Sequence, residues 1–159
     1  MATVLIADDE LDHRELMTLV LHRLGYDVVA AGDSGAALEL LAGGGVDAVL
    51  ADVRMPGVSG IELCRIIRGS PAFATTPVML ISADVHRHQI MTALHAGADD
   101  YLPKPFSRVL LGSRLEMLLG LRAGRAARSA TAARAALLAA RQALVPDIGT
   151  ERPPYRRSA

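Results

Sequence analysis

One cysteine, Cys64, stands in 159 residues. An internal disulfide framework and a multi-cysteine zinc centre are therefore both excluded. Tryptophan is absent, and three Tyr and two Phe are the only other large aromatics. The core must then come from Val, Leu, Ile, Met and Ala, in a chain that is 51% apolar and holds 27 Ala. No apolar run approaches the roughly 20 residues that span a bilayer. Met1 to Asp9 lacks a basic stretch and meets acid after seven residues, so no signal peptide is expected. Neither a GxGxxG nor a Walker pattern occurs, which leaves nucleotide binding without support. Lysine is almost missing: of 17 cations 16 are Arg, and Lys104 is the single Lys. A protein without membrane insertion, in a reducing cytoplasmic setting, is the expectation.

The net charge of zero hides an asymmetry. Residues 1–121 hold 15 acidic against 9 basic residues, whereas 122–159 hold 2 acidic residues against 8 Arg, together with 12 Ala. That shift places a boundary near Leu121 to Gly124. The expectation is one domain over 1–121 and an Ala/Arg-rich basic tail over 122–159.

Along the first part, short apolar runs alternate with helical patterns. Strands are expected at Thr3 to Ala7, Asp27 to Ala31, Asp47 to Ala51, Pro77 to Ile81 and Asp99 to Leu102. The first helix runs from Leu11 to Leu24, with Leu16, Leu19, Val20 and Leu24 as its apolar stripe, Asp12 with Glu15 as its cap, and Gly25 as its stop. Asp33 and Ser34 cap a helix through Leu41 that Gly43 to Gly45 end. Ser59 and Glu62 have capping-box spacing and open a helix to Ile67. Val85 to His95 is a fourth helix. Pro105 suits the first turn of a fifth, which reaches about Leu119 with Leu110, Leu111, Leu115, Leu118 and Leu119 as its stripe. Continuous apolar strands alternating with amphipathic helices imply an α/β protein with a doubly wound, five-stranded parallel sheet covered on both faces. In the tail, Ala and Arg favour a helix over about 125–145. Pro146 ends it, and a disordered end is expected after it.

Ligands of open parallel sheets gather outside the carboxyl ends of the strands. Asp8, Asp9 and Glu10 follow the first strand, Asp52 the third, Ser82 the fourth, and Lys104 the fifth. Asp8, Asp9 or Asp52 alone is better explained by capping a helix or solvating a loop. Together they are a different matter. Two carboxylates about 4 Å apart repel by about 4 kcal/mol at an effective dielectric near 20, and one Lys cannot cancel three. Such a cluster suits a hard dication that prefers oxygen, as Mg²⁺ does. A cation and Lys104 would then neutralise an incoming phosphoryl group and leave one carboxylate free to attack it.

The segments Ile6-Ala7-Asp8-Asp9-Glu10, Leu50-Ala51-Asp52-Val53-Arg54-Met55-Pro56-Gly57, Ile81-Ser82-Ala83 and Tyr101-Leu102-Pro103-Lys104-Pro105-Phe106 resemble, in order and spacing, the receiver domain of two-component response regulators. The resemblance covers about residues 1–121 and implies the flavodoxin-like (βα)5 receiver fold. It makes Asp52 the phosphoacceptor. Asp9 and Asp52 become direct ligands of Mg²⁺, with Asp8 acting through water and the backbone carbonyl of Arg54 as a third protein ligand. Lys104 and Ser82 contact phosphoryl oxygens, and Tyr101 is the aromatic switch. A cis Lys104–Pro105 bond is also implied. The implied partners are a sensor histidine kinase or phosphotransfer protein upstream and a protein target downstream, with a homodimer through the fourth helix, fifth strand and fifth helix left open. The implied activity is limited to self-phosphorylation and autodephosphorylation.

One departure is Arg54 and Asp84, two residues after Asp52 and Ser82. Their opposite charges suggest a pair across the mouth that hinders attacking water. Two other readings stand beside the main one. An aspartyl-nucleophile phosphatase would want a second acid where Arg54 stands. A transcription regulator would need a missing or minimal DNA-binding output. The basic tail has no helix-turn-helix pattern and reads as a solvated or partner-seeking helix rather than a nucleic-acid arm. Among His13, His22, His86, His88 and His95, His86 and His88 stand two apart and so point to different faces of a helix, which argues against a metal site there, and Cys64 on the third helix reads as a small buried or half-buried residue.

Overall fold

A computed structural model describes residues 1–143, apart from the side chains of 126–133 and 139–143. Five strands, β1 (Thr3–Ala7), β2 (Asp27–Ala31), β3 (Ala48–Asp52), β4 (Val78–Ser82) and β5 (Asp100–Pro103), form one sheet in the order β2-β1-β3-β4-β5. Every pairing is parallel. The connecting helices are α1 (Leu11–Arg23), α2 (Ser34–Ala42), α3 (Gly60–Gly69) and α4 (Arg87–His95), and α5 (Arg108–Ala143) follows β5.

Alternation along each strand sorts side chains between two cores. Val4, Ile6, Ala48, Leu50, Met79 and Ile81 face α1 and α5, where Met17, Leu21, Leu111, Leu115 and Leu118 meet them. Leu5, Ala7, Val49, Ala51, Val78 and Leu80 face α2, α3 and α4, packing with Ala37, Leu41, Leu63, Cys64, Ile67 and Ala93. Both faces are covered, which is why the strands read as unbroken apolar runs. The strand order reverses at β1, so the carboxyl ends of β1 and β3 open a crevice between the helices on the two sides.

The expected caps at Asp33 and Ser59 are present: their side chains accept from Ala36 N at 2.8 Å and Glu62 N at 3.2 Å. Gly25 follows α1 at φ 93°, a left-handed turn that favours glycine. The Lys104–Pro105 bond is cis.

Several local expectations give way. Asp12 does not cap α1; the helix starts at Leu11 after Glu10, whose N–H donates to Asp8 Oδ1 at 3.0 Å. Asp8 already holds that amide, so the chain enters the helix at the expected Leu11 without a side-chain cap from Asp12. The apolar stripe of α1 is Met17 and Leu21 flanked by Val20 and Leu24. Leu16 and Leu19 stay 57% and 48% exposed. Pro105 precedes α5 rather than opening it; Ser107 caps the helix, its Oγ accepting from Leu110 N at 3.1 Å. The break expected beyond Leu119 does not occur. Gly120 and Gly124 cost about 1 kcal/mol each in a helix, yet neither takes a positive φ, and Ala and Arg neighbours favour continuation. Met1–Arg125 forms one compact unit, divided from the residues that follow it. Arg122 and Arg125 therefore belong with the first unit, where they pair with Asp47 and Asp99. The expected end of the tail helix at 145, the stop at Pro146 and the disordered end lie outside the described residues. No helix among the described residues is long and apolar enough to cross a membrane.

Candidate functional site

The parallel register aligns the strand ends. Ala7 pairs with Ala51 and Asp52 with Ile81, while Ser82 pairs with Pro103. The residues after these strands therefore share one rim.

Asp52 ends β3 with its side chain 11% exposed. Its Oδ2 lies 2.5 Å from Lys104 Nζ, and its Oδ1 accepts from Arg54 N at 2.9 Å. Lys104 is carried there by its own backbone, whose N–H donates to Ser82 O at 2.8 Å. Asp8 is 3% exposed. Its Oδ1 accepts from Glu10 N, its Oδ2 meets His13 Nδ1, and its carbonyl accepts from Arg14 Nη1 at 2.8 Å. One ligand atom each from Asp8, His13 and Asp52 lies within 4.8 Å of the others. Asp9 is exposed and lines a cleft of about 690 Å³ with Glu10, Arg54, Met55, Ser59 and Gln89. The sequence-predicted Asp8, Asp52 and Lys104 are thus brought together, while Asp9 stands at the rim of the cleft and outside the compact group.

Behind this group runs a hydrogen-bonded chain. Ser82 is buried, and its Oγ accepts from Asp84 N at 3.0 Å. The Asp84 carbonyl accepts from the Tyr101 hydroxyl at 2.7 Å. Tyr101 is turned inward and 8% exposed. Burial pushes its phenol above the ordinary range; the Ser82 hydroxyl opposes that, and the negative Asp84 and Asp52 add to it.

The pair expected between Arg54 and Asp84 is not formed. Asp84 Oδ1 accepts instead from His86 N at 2.8 Å and lies 2.6 Å from His86 Nδ1. Those contacts hold its carboxyl below the usual range, with Arg54 adding a weaker long-range pull. A partner two residues away costs less chain entropy to engage than one across the cleft.

Sequence reasoning passed over His13, whose position four residues past Asp9 on the first turn of α1 was the signal available. It also passed over Gly60. A Cβ there would lie 2.2 Å from Asp52 O and 2.8 Å from its carbonyl carbon, so α3 starts against the backbone of Asp52 itself. His86 and His88 gather no metal-ligating group among the described residues. Cys64 is fully buried, its thiol pushed up by burial and directed at Ala96 O at 3.5 Å.

Residues 4–116 match the family model described as the response regulator receiver domain. Chemotaxis protein CheY of Pseudomonas aeruginosa is 34% identical over 116 residues, 72% of this chain and 94% of that protein. The DNA-binding response regulator MtrA of Mycobacterium tuberculosis is likewise 34% identical over 116 residues, 73% of this chain but 50% of MtrA. The chain thus spans about half the length of MtrA. Among solved structures, Vibrio cholerae CheY4 superposes with a TM-score of 0.71 at 28% identity, covering 74% of this chain and 98% of that one. The receiver domain of a Pseudomonas aeruginosa sensor histidine kinase superposes with a TM-score of 0.70 at 28% identity, covering 75% and 98%; it is described with a magnesium ion coordinated in its active site cleft.

Proposed function

The chain belongs to the response regulator receiver family, and on that footing we propose that it takes a phosphoryl group from a histidine kinase or phosphotransfer protein onto Asp52 and signals to a protein partner. The observation that carries this reading is the 2.5 Å contact between Asp52 Oδ2 and Lys104 Nζ, made by the single Lys of the chain beside a second, nearly buried carboxylate.

An Asp52 carboxylate oxygen attacks phosphorus in line. The bond from phosphorus to the donor histidine nitrogen breaks, and that nitrogen leaves with the electron pair. Lys104 neutralises charge on the phosphoryl oxygens, and Ser82 donates its hydroxyl to another of them. The donor set suits Mg²⁺: carboxylate oxygens of Asp52, Asp8 and Asp9, completed by the Arg54 carbonyl, are hard ligands that leave room for water. When bound, the cation supplies Lewis-acid stabilisation of the negative phosphoryl oxygens. Asp8 is aimed by two side chains of α1, His13 at its carboxylate and Arg14 at its carbonyl.

The aspartyl phosphate carries about −1.5 to −2 charge in place of the single negative charge of the carboxylate, and it presents three strong acceptors. Ser82 turns toward it, Asp84 N loses its acceptor, and the Tyr101 hydroxyl loses its fixed carbonyl. Tyr101 then repacks, and the face of α4, β5 and α5 changes with it. Leu94, Val109 and Met117 are 43%, 79% and 66% exposed on those two helices, which supports a protein partner there, a second copy included.

Acetyl phosphate with Mg²⁺ tests the assignment by intact mass. The wild type gains one phosphate, and the gain vanishes with chelator or with Asp52→Ala. An equal gain in Asp52→Ala sinks the reading.

A further inference from the structure

We propose that an apolar cavity beside α1 binds a small organic anion with a compact apolar body, of the arylacetate class, and that this anion competes with Asp52 for Lys104. The binding site stands on the cavity itself; its effect on phosphorylation rests on the reading given above.

Leu16, Met17 and Val20 of α1, with Pro105 and Phe106 of the β5–α5 turn, line a cavity of about 490 Å³. That volume lies within the roughly 300–1,000 Å³ of small-molecule sites, which are mostly apolar with a few placed polar groups. Leu16, left out of the sheet core at 57% exposure, is one wall. Met17, 3% exposed, joins the cavity to the core. An apolar body seated among these side chains removes their open surface, and its own, from water.

The charge of the lining selects the head group. Residues 1–121 carry 15 acidic against 9 basic residues. Yet among the described residues no Asp or Glu lines this cavity, whereas His13, Lys104 and Arg108 do. His13 is engaged at Nδ1 by Asp8, and Lys104 at Nζ by Asp52. Arg108 is exposed, and among the described residues no carboxylate pairs with it. It is also the first residue of α5, where the positive end of the helix dipole favours an anion. Apolar walls with one unpaired guanidinium suit a carboxylate on an apolar body and disfavour a cation of the same shape.

Lys104 ties the cavity to Asp52. Its side chain lines the cavity, and its Nζ lies 2.5 Å from Asp52 Oδ2. An anion seated beside Lys104 withdraws charge that Asp52 uses to receive a phosphoryl group, so phosphorylation slows.

Calorimetric titration of the full chain with phenylacetate tests the site, with acetate and 2-phenylethylamine as controls. Phenylacetate binds at least about tenfold tighter than either, because acetate lacks the apolar body and the amine carries the wrong charge. Arg108→Gln and Leu16→Ser each weaken it by about threefold or more. Leu19→Ser, on α1 but outside this cavity, leaves it unchanged. Far-UV circular dichroism checks that the variants are folded. At half-saturation phenylacetate slows acetyl phosphate labelling of the wild type, and at the same concentration it slows Arg108→Gln less. No phenylacetate binding, equal binding of phenylacetate and 2-phenylethylamine, or binding unchanged in both cavity variants overturns the site. Binding that leaves labelling at its full rate overturns the competition for Lys104. If the untreated chain takes no phosphate, the phosphorylation reading fails, and the titrations still decide the cavity.

Discussion

Gly60 and Asp52 touch backbone to backbone. A Cβ at Gly60 would lie 2.2 Å from Asp52 O and 3.0 Å from Val53 Cα, and Gly60 N donates to Val53 O at 3.0 Å. No flexible side chain can give way, so Gly60→Ala must move the strand end that carries the phosphoacceptor. Overpacking of this kind costs about 1–3 kcal/mol. Denaturant titration should show that loss, and acetyl phosphate labelling of the folded variant should drop with it. Wild-type stability and labelling in Gly60→Ala would remove the contact from the argument. Tyr101 supplies a residue-scale prediction of the other kind. Its phenol, raised mainly by burial, stays neutral in the folded state at a pH where the unfolded chain ionises. The stability it lends is complete below about pH 10, the ordinary tyrosine range, and drains away as pH rises through the folded value. Tyr26 is raised as well, by burial and then by the negative Glu116. Two of the three tyrosines should therefore titrate late in tyrosinate absorbance, with melting temperature falling over the same alkaline range. Tyr101→Phe should flatten part of that fall.

Helix α1 shows what a single element does and does not reveal. Its 13 residues carry Leu11, Leu16, Met17, Leu19, Val20 and Leu21, so apolar side chains lie on more than one face, and periodicity alone admits two stripes. The sheet decides: the groove beside Val4, Ile6 and Leu50 takes Met17 and Leu21. The caps at Asp33 and Ser59 were legible because a cap is chemistry within four residues. The start of α5 was not, because Pro105 is committed to the turn that returns Lys104 to Ser82 O, a constraint set by β4. Helix α5 packs through Leu111, Leu115 and Leu118, each 0–1% exposed. Leu115→Ala should thus cost about 2–5 kcal/mol, whereas Leu19→Ser on the open side of α1 should stay within about 0.5 kcal/mol. Parallel denaturation curves check both, and a reversal of that order would place the helices on the sheet wrongly.

For the whole molecule, the doubly wound sheet was readable because five apolar runs ended in acids, a hydroxyl and an amine, and parallel strands bring such ends to one rim. The same reading could not fix which neighbours each end acquires. His86 takes Asp84 from Arg54, and His13 joins Asp8, through helix starts that composition does not specify. The neighbours acquired at the opposite rim were not legible for a related reason. A charge count put Arg122 and Arg125 in the tail, yet Asp47 and Asp99 lie where α5 passes the amino ends of β3 and β5. Asp99 is 8% exposed at its side chain. It accepts from Val78 N at 2.9 Å and Arg68 Nη2 at 2.9 Å, and pairs with Arg125. A chain cut after Leu121 loses both arginine anchors and leaves Asp99 with Arg68 as its remaining cation partner. A cut after Arg125 keeps the compact unit whole. These pairs are partly exposed, so together they are worth about 1–2 kcal/mol rather than the value of buried bridges. The 1–125 chain should melt with the receiver transition of the full chain, and the 1–121 chain a few degrees lower. In 1 M salt, where screening acts within about 3 Å, the gap between the two cuts should narrow. If the 1–121 and 1–125 chains melt together at low salt, the arginines merely solvate the helix, and the domain ends where the charge count placed it.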